Sequence, residues 1–250
     1  MILSVRGLKF HYPGRPVIED ASFSVAQGEL LAVLGTNGTG KTTLLKCLNR
    51  ILKPAAGVVL IGNESVASLS RNALAQRIGY VEQQRSGLPA TVFNTVLLGR
   101  KPYIRWDITH RDMEIASQAL ETLGLSDYAL RYLDELSGGE LQKVIIARAL
   151  AQQPEILLMD EPTSSLDLKN QLEVLRLIRQ VTRQRGIAAV AALHDLNLAL
   201  RFADRFLLLK DRSIYAAGGR EIITPENIES VYSVPVAISA HNGNPVIIPL

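Results

Sequence analysis

The chain has 250 residues, 47% hydrophobic and 20% charged, with a formal net charge of +3, a pI near 9.0 and one cysteine. That length buries a sizeable core as one large domain or two small ones, and the composition excludes low-complexity, collagenous and disulfide-stapled classes. Lys and Arg are scattered, without the dense clusters and interleaved aromatics of a nucleic-acid face, so the mild basicity points to phosphate ligands or an anionic membrane surface and not to nucleic acid.

Met1 to Arg6 runs straight into a strand-like pattern, and no secretory leader is expected. Over residues 1–30 apolar positions alternate with polar ones (Leu3, Val5, then Phe23, Val25) around Pro13-Gly14, which predicts strands of a small antiparallel layer. Leu30 to Leu34 is uniformly apolar, as a buried parallel strand is. It runs into Gly35-Thr36-Asn37-Gly38-Thr39-Gly40-Lys41-Thr42, after which Thr43 to Leu48 carries helical spacing. This is the G-x-x-x-x-G-K-[ST] phosphate loop in the strand–loop–helix setting that it requires. Its glycines let the backbone wrap an anion with N–H groups pointing inward, and the helix adds its positive end. Lys41 is suited to the β- and γ-phosphates and Thr42 to Mg²⁺, so a nucleoside triphosphate is the expected ligand. Cys47 is read as inert packing, and a lone cysteine suits a reducing compartment.

Lys53-Pro54-Ala55-Ala56-Gly57 ends that helix, and Val58 to Ile61 resumes strand character. Thr91 to Gly99, Arg111 to Leu123 and Glu140 to Gln152 then carry helical spacing with almost no strand between them. The reading is a single domain, 1–250, in which a helical subdomain at 85–153 interrupts a nucleotide-binding core made of 1–84 and 154–250. Strands and helices alternate again afterwards: Ile156–Met159, a helix over 169–184, Ala188–Leu193, a helix over 196–203, and Phe206–Leu209. The fold class is therefore α/β, a phosphate-loop NTPase core with a mostly parallel sheet, a small antiparallel β layer and an inserted helical subdomain. No internal repeat is present. The longest apolar stretches, such as Ile187 to Leu193, fall far short of the ~20 residues that span a bilayer.

Four apolar strands release polar residues at their carboxyl ends: Leu34 at the glycine loop, Val81 at Glu82-Gln83, Met159 at Asp160-Glu161 and Leu193 at His194-Asp195. Ligands of open α/β sheets bind at that edge, which predicts one active site. Asp160 after four apolar residues is costly unless something positive meets it, and in phosphate-loop enzymes the strand-end Asp holds Mg²⁺. Glu161 is then placed to orient and deprotonate the attacking water. Ser137-Gly138-Gly139-Glu140 reads as a capping box opening a helix. Capping alone does not account for two glycines, which make sense if a phosphate approaches the bare helix end. Two anion-binding helix ends in one chain serve one triphosphate only if it is sandwiched, and a two-fold homodimer does this.

In this order and spacing, Gly35–Thr42, Leu136-Ser137-Gly138-Gly139-Glu140, Leu158-Met159-Asp160-Glu161, Ser165-Leu166-Asp167 and His194 resemble the ATP-binding subunit of an ATP-binding-cassette (ABC) transporter over essentially the whole chain. The resemblance implies ATP and Mg²⁺ as ligands, with ATP contacts along Gly35–Thr43 and at Ser137–Glu140 of the opposite subunit. It matches Tyr12 to the aromatic that stacks on adenine, and Asp167 to the loop aspartate that crosses the dimer seam. Gln83 matches the glutamine that touches Mg²⁺ and the attacking water and relays to the membrane subunit, and His194 the histidine that contacts the γ-phosphate. Glu140 stands where Gln is usual, and Glu82 where Pro is usual before Gln83.

The implied partners are a second copy of the chain, integral membrane permease subunits and, indirectly, a periplasmic or extracellular substrate-binding protein, with the subunit peripheral at the cytoplasmic face of the cell membrane. A finer similarity, in Thr91-Val92, Leu97-Leu98-Gly99-Arg100-Lys101-Pro102-Tyr103, Thr224-Pro225-Glu226-Asn227 and Pro245–Leu250, is to importers of iron–siderophore complexes, haem and cobalamin. Tyr103 and Trp106 either join a docking groove or cover the core of the insert. The alternatives are a soluble cassette ATPase for protein remodelling or metal-cofactor assembly, and an importer of an oxyanion such as molybdate.

Overall fold

The computed structural model describes residues 1–82, 90–241 and 243–250. β1 (Leu3–Tyr12) and β2 (Arg15–Val25) form the expected antiparallel hairpin across Pro13-Gly14, in register Leu3↔Val25 and Tyr12↔Arg15. β3 (Leu30–Leu34) leads to α1 (Lys41–Leu48), then β4 (Ala56–Ile61), β5 (Glu64–Ser65), α2 (Arg71–Arg77) and β6 (Ile78–Val81). The helical stretch contains α3 (Val92–Leu97), α4 (His110–Thr122) and α5 (Gly138–Ala151). The chain then follows β7 (Ile156–Asp160), α6 (Leu168–Arg185), β8 (Ala188–Ala192), α7 (Leu196–Phe202), β9 (Arg205–Lys210) and β10 (Ser213–Gly218). α8 (Pro225–Tyr232) and a hairpin of β11 (Val236–His241) and β12 (Asn244–Pro249) complete it.

One sheet of ten strands runs in the order β5-β4-β1-β2-β10-β9-β3-β8-β7-β6. The block β9-β3-β8-β7-β6 is parallel throughout. The antiparallel layer joins it through β10, which pairs with β9 along its length and with β2 at the single position Ser213↔Asp20. Because side chains alternate across a strand, β3 feeds two cores. Leu31 and Val33 pack with Leu44, Leu45 and Leu48 of α1 and with the antiparallel layer. Leu30, Ala32 and Leu34 face the other way, into one continuous cluster with residues of α3 to α8 and of the terminal hairpin. Helices α3, α4 and α5 therefore share the core of the sheet.

Several residues of the importer-like segment serve this packing. A Cβ at Gly99 would lie 2.1 Å from the Arg148 carbonyl oxygen, so the absence of a side chain is what lets this turn press against α5. The Arg100 guanidinium is buried, pairs with Asp112 at 3.0 Å and donates to the Ala151 carbonyl at 2.8 Å. Asp112 also closes the cap of α4, accepting from the Thr109 hydroxyl at 2.6 Å and the Thr109 N–H at 3.1 Å. Tyr103 donates its hydroxyl to the Gln152 carbonyl at 2.8 Å beneath the Arg100 guanidinium, so it serves the packing of this segment. Trp106 is the opposite case, 98% exposed. The terminal hairpin, α2 and β10 carry no periodic signal that the sequence reading used.

Removing one partner of a buried ion pair strands a charge. Arg100→Ala is expected to cost about 3–5 kcal/mol in denaturant unfolding followed by circular dichroism. The hydrogen bond from Thr109, and then Arg100, hold the Asp112 carboxyl below the usual carboxylate range. A lowered folded value contributes stability that is complete above the ordinary value and is lost as pH falls through the folded one. Asp112→Asn should accordingly flatten the acid limb of the stability curve.

Candidate active site

The site begins where β3 leaves the sheet. Gly35 has φ +151°, and a Cβ there would lie 2.6 Å from the carbonyl oxygen of Leu209 on β9, so a side chain would force that backbone away. The loop closes at Gly40, which is left-handed at φ +102° and starts α1 without any side-chain cap. The first N–H groups of α1 are thus left for a ligand. The Lys41 ammonium, buried at 6% exposure, donates to the carbonyls of Gly35 at 2.8 Å and Thr36 at 3.1 Å. Burial lowers its pKa, against the pull of Glu161 and Asp160.

β7 delivers the acids. Asp160 is 2% exposed and accepts from the Thr42 hydroxyl at 2.9 Å. Burial raises its carboxyl above the usual range, with the Thr42 hydrogen bond acting in the other direction. Glu161 adopts φ +52°, a strained conformation for a residue with a side chain. Its carbonyl is held by the N–H of Ser164 at 3.1 Å and the Ser164 hydroxyl at 2.9 Å. Its carboxyl meets His194 Nε2 at 2.5 Å. His194 follows β8, and Asp195 beside it caps α7 by accepting from the Leu198 N–H at 2.9 Å. Strained backbone on a strand-end acid, facing a strand-end histidine, is an arrangement built for chemistry.

A cavity of about 240 Å³ lies against these groups, lined by Tyr12, Arg15, Val17, Asn37, Gly38, Gly40, Lys41, Thr42, Thr43 and Glu161. Tyr12 is 41% exposed at its rim and meets the Phe10 ring edge-on at 4.9 Å. A hollow of about 600 Å³ elsewhere is larger, bordered by Arg50, Arg71, Tyr80, Glu82, Leu98 and Arg148, but it holds none of the phosphate-loop residues.

The structure thus gathers Tyr12, Gly35–Thr43, Asp160, Glu161 and His194 in one place. It keeps Ser137–Glu140 out of that cavity's lining. Ser137 caps α5 as expected: its hydroxyl and N–H donate to the Glu140 carboxyl at 2.6 and 2.8 Å, and it accepts from the Glu140 N–H at 3.4 Å. Those bonds from Ser137 hold the Glu140 carboxyl below its usual range, so an acid in this position is well accommodated at the helix start. A Cβ at Gly139 would fall 2.4 Å from the side-chain Oδ1 of Asn170 at the start of α6, an atom free to swing aside. Asp167 caps α6 by accepting from the Asn170 N–H at 2.8 Å, so Asp167 and the Gly139 helix end are neighbours through Asn170. Gln83 lies outside the described residues. Arg15 and Val17 line the cavity with no motif to announce them. Tyr232, whose hydroxyl accepts from the Gly35 N–H at 2.9 Å, is 197 positions from it in the chain, out of reach of any local pattern. Cys47 is buried and its thiol is pushed up to about 12 by burial, which leaves it inert.

A phosphate loop, a buried strand-end Asp, an adjoining Glu and a facing His on this sheet define an ATP-hydrolysing cassette. The family model of the ABC transporter matches residues 18–164, and the chain belongs to that family as an ATP-binding subunit, an ATPase coupled to transport. It is 54% identical over its whole length to an uncharacterized ABC transporter ATP-binding protein of Methanocaldococcus jannaschii, covering 98% of it. It is 36% identical to a siderophore transport system ATP-binding protein of Bacillus subtilis, over 99% of this chain and 92% of that one. Among solved structures, an inward-facing transporter assigned to the metal-chelate type matches 100% of this chain and 97% of its own at 33% identity, with a TM-score of 0.87.

Gly35→Ala is expected to weaken ATP binding by at least about tenfold and to lower the melting temperature, because the obstruction is backbone and not a side chain that swings aside. Titration with a fluorescent nucleotide and a thermal melt check both.

Proposed function

We propose that the chain powers an importer of metal chelates, of the iron–siderophore, haem or cobalamin type, as one of two ATPase subunits beneath a membrane permease. The relatives named for siderophore and cobalamin import support the cargo class. We keep the division into a nucleotide-binding core, 1–84 and 154–250, and a helical subdomain, 85–153. No described helix is long and apolar enough to cross a membrane. In this reading a permease supplies the path and the subunit sits peripherally at its cytoplasmic face. The hollow of about 600 Å³ between the end of α1, α2 and α5 is where the permease would dock.

The observation that carries the mechanism is the split of the site. Lys41 and Glu161 line one cavity, with Asp160 joined to it through Thr42 and His194 through Glu161, while the Ser137-Gly138-Gly139 helix end is not part of its lining. A second copy brings its own Ser137 end to the first copy's cavity, with Asp167 beside the seam. Tyr12 stacks on adenine, and Lys41 exchanges its loop carbonyls for phosphate oxygens. Glu161 takes the proton of the attacking water and His194 steadies the γ-phosphate. The bound triphosphate joins the two copies, and its hydrolysis removes the link. Only the closed dimer surrounds the γ-phosphate from both sides, which supplies the differential affinity that drives opening and closing.

Mg²⁺ suits the residues present. Among the described residues no cluster of three or more His, Cys, Asp or Glu could cage an ion. Thr42 and Asp160 instead offer paired oxygens beside the phosphate loop, as hard cations carried by a triphosphate require. Those two residues would hold it, with Gln83, and it would neutralise charge on the phosphates. Because burial raises the Asp160 carboxyl, protonation competes with Mg²⁺ at a higher pH than for an exposed Asp. Mg²⁺-dependent tightening of ATP binding should fade on acidification before the ordinary carboxylate range is reached.

Glu161→Gln is expected to slow hydrolysis by about a hundredfold or more while ATP binding persists and dimers accumulate. Ser137→Arg should block dimer closure and leave nucleotide binding by the monomer intact. Phosphate release, nucleotide titration and size-exclusion chromatography read these outcomes. Normal turnover in the Gln variant removes Glu161 from its role, and equal loss of binding and dimerisation in the Arg variant refutes the shared site. Cargo-stimulated hydrolysis in liposomes with the permease tests the cargo class.

A further inference from the structure

Gly35, the first residue of the phosphate loop, is held from both sides of its backbone. Its N–H donates to the Tyr232 hydroxyl at 2.9 Å, and its carbonyl accepts from the Lys41 ammonium at 2.8 Å. The two anchors differ in permanence. The Lys41 ammonium has three N–H donors and spends two on the Gly35 and Thr36 carbonyls, so phosphate competes with the loop for it and this tether loosens as nucleotide enters. Tyr232 has no such exchange to make. Ile228 and Val231 of the same helix are buried in the cluster that contains Leu34, Phe206 and Leu208, and Thr224 caps that helix by accepting from the Asn227 N–H at 3.2 Å. The hairpin that follows is pinned to α7 by Asn197, whose Nδ2 donates to the Ile247 carbonyl at 3.1 Å and whose Oδ1 accepts from the Ile247 N–H at 2.8 Å. Burial raises the Tyr232 hydroxyl to about 12, so it stays neutral across the working range of pH.

We propose that Tyr232 is a positioning residue of the phosphate loop: its hydroxyl holds the Gly35 amide so that the loop keeps its anion-binding shape when Lys41 turns from the loop's carbonyls to the nucleotide. α8, anchored by its buried residues, then gives the loop a fixed abutment that no residue of the loop itself provides. This rests on the loop binding the triphosphate, and on nothing about cargo or dimer.

Tyr232→Phe keeps the ring and removes the acceptor. In the full chain, affinity for ADP and for a non-hydrolysable ATP analogue is expected to fall by about threefold to tenfold, the worth of one buried hydrogen bond. KM for ATP should rise by more than kcat falls, and the Gly35 amide of the nucleotide-bound protein should exchange faster with solvent. Unchanged affinity with unchanged Gly35 exchange overturns the proposal. So does a loss of binding that merely follows a loss of folded protein. Lys41→Ala serves as the reference: if it binds nucleotide normally, the reading of the loop fails and not the role of Tyr232.

Discussion

The whole site hangs on the way one strand leaves its sheet. β3 lies between β8 and β9 in a parallel block, and its last peptide must turn out beside a carbonyl of β9 with no room for a Cβ. Glycine at that point lets the chain open into a loop whose amides face inward, and lets the next helix start uncapped. Neighbouring strands end at the same edge, so the acid of β7 and the histidine after β8 arrive beside the loop as a consequence of sheet order. Parallel pairing, and not any feature of the loop alone, brings groups from distant parts of the chain to one cavity.

Charge in that cavity is balanced without being quenched. Lys41 faces two carboxylates yet spends its hydrogen bonds on the carbonyls of its own loop, and Asp160 rests on a hydroxyl. Burial opposes ionisation of both groups. In the proposed function a triphosphate with its cation would relieve both at once, giving the anions of the protein a cation and its ammonium an anion. Glu161 combines a positive φ with a carboxyl that meets His194.

What the sequence made legible was whatever is written locally. Gly35–Thr42, Asp160-Glu161 and the capping box at Ser137 each lie within a few consecutive residues, and the rule that ligands meet the carboxyl ends of parallel strands placed the first two at one edge of the sheet. Gly99, Arg100 and Tyr103 show the opposite case. Resemblance marks them as membrane-facing, and the structure adds that they seat one turn against α5 and tie it to α4, while Gly99 also borders the hollow of about 600 Å³. A packing requirement and a docking requirement leave the same kind of trace in a sequence. Arg15 and Val17, on the strand before β3, left none, and Tyr232 reaches the phosphate loop from an element remote in the chain.

Trp106 has a practical consequence. It is the one tryptophan of the chain and stands 98% clear of the rest of the molecule. Intrinsic emission excited in the far red of the protein absorption band therefore monitors a single outlying spot, already wet in the native state. Denaturation would leave the wavelength of that emission nearly where it began, and a move to the blue would signal that another surface had come to cover it.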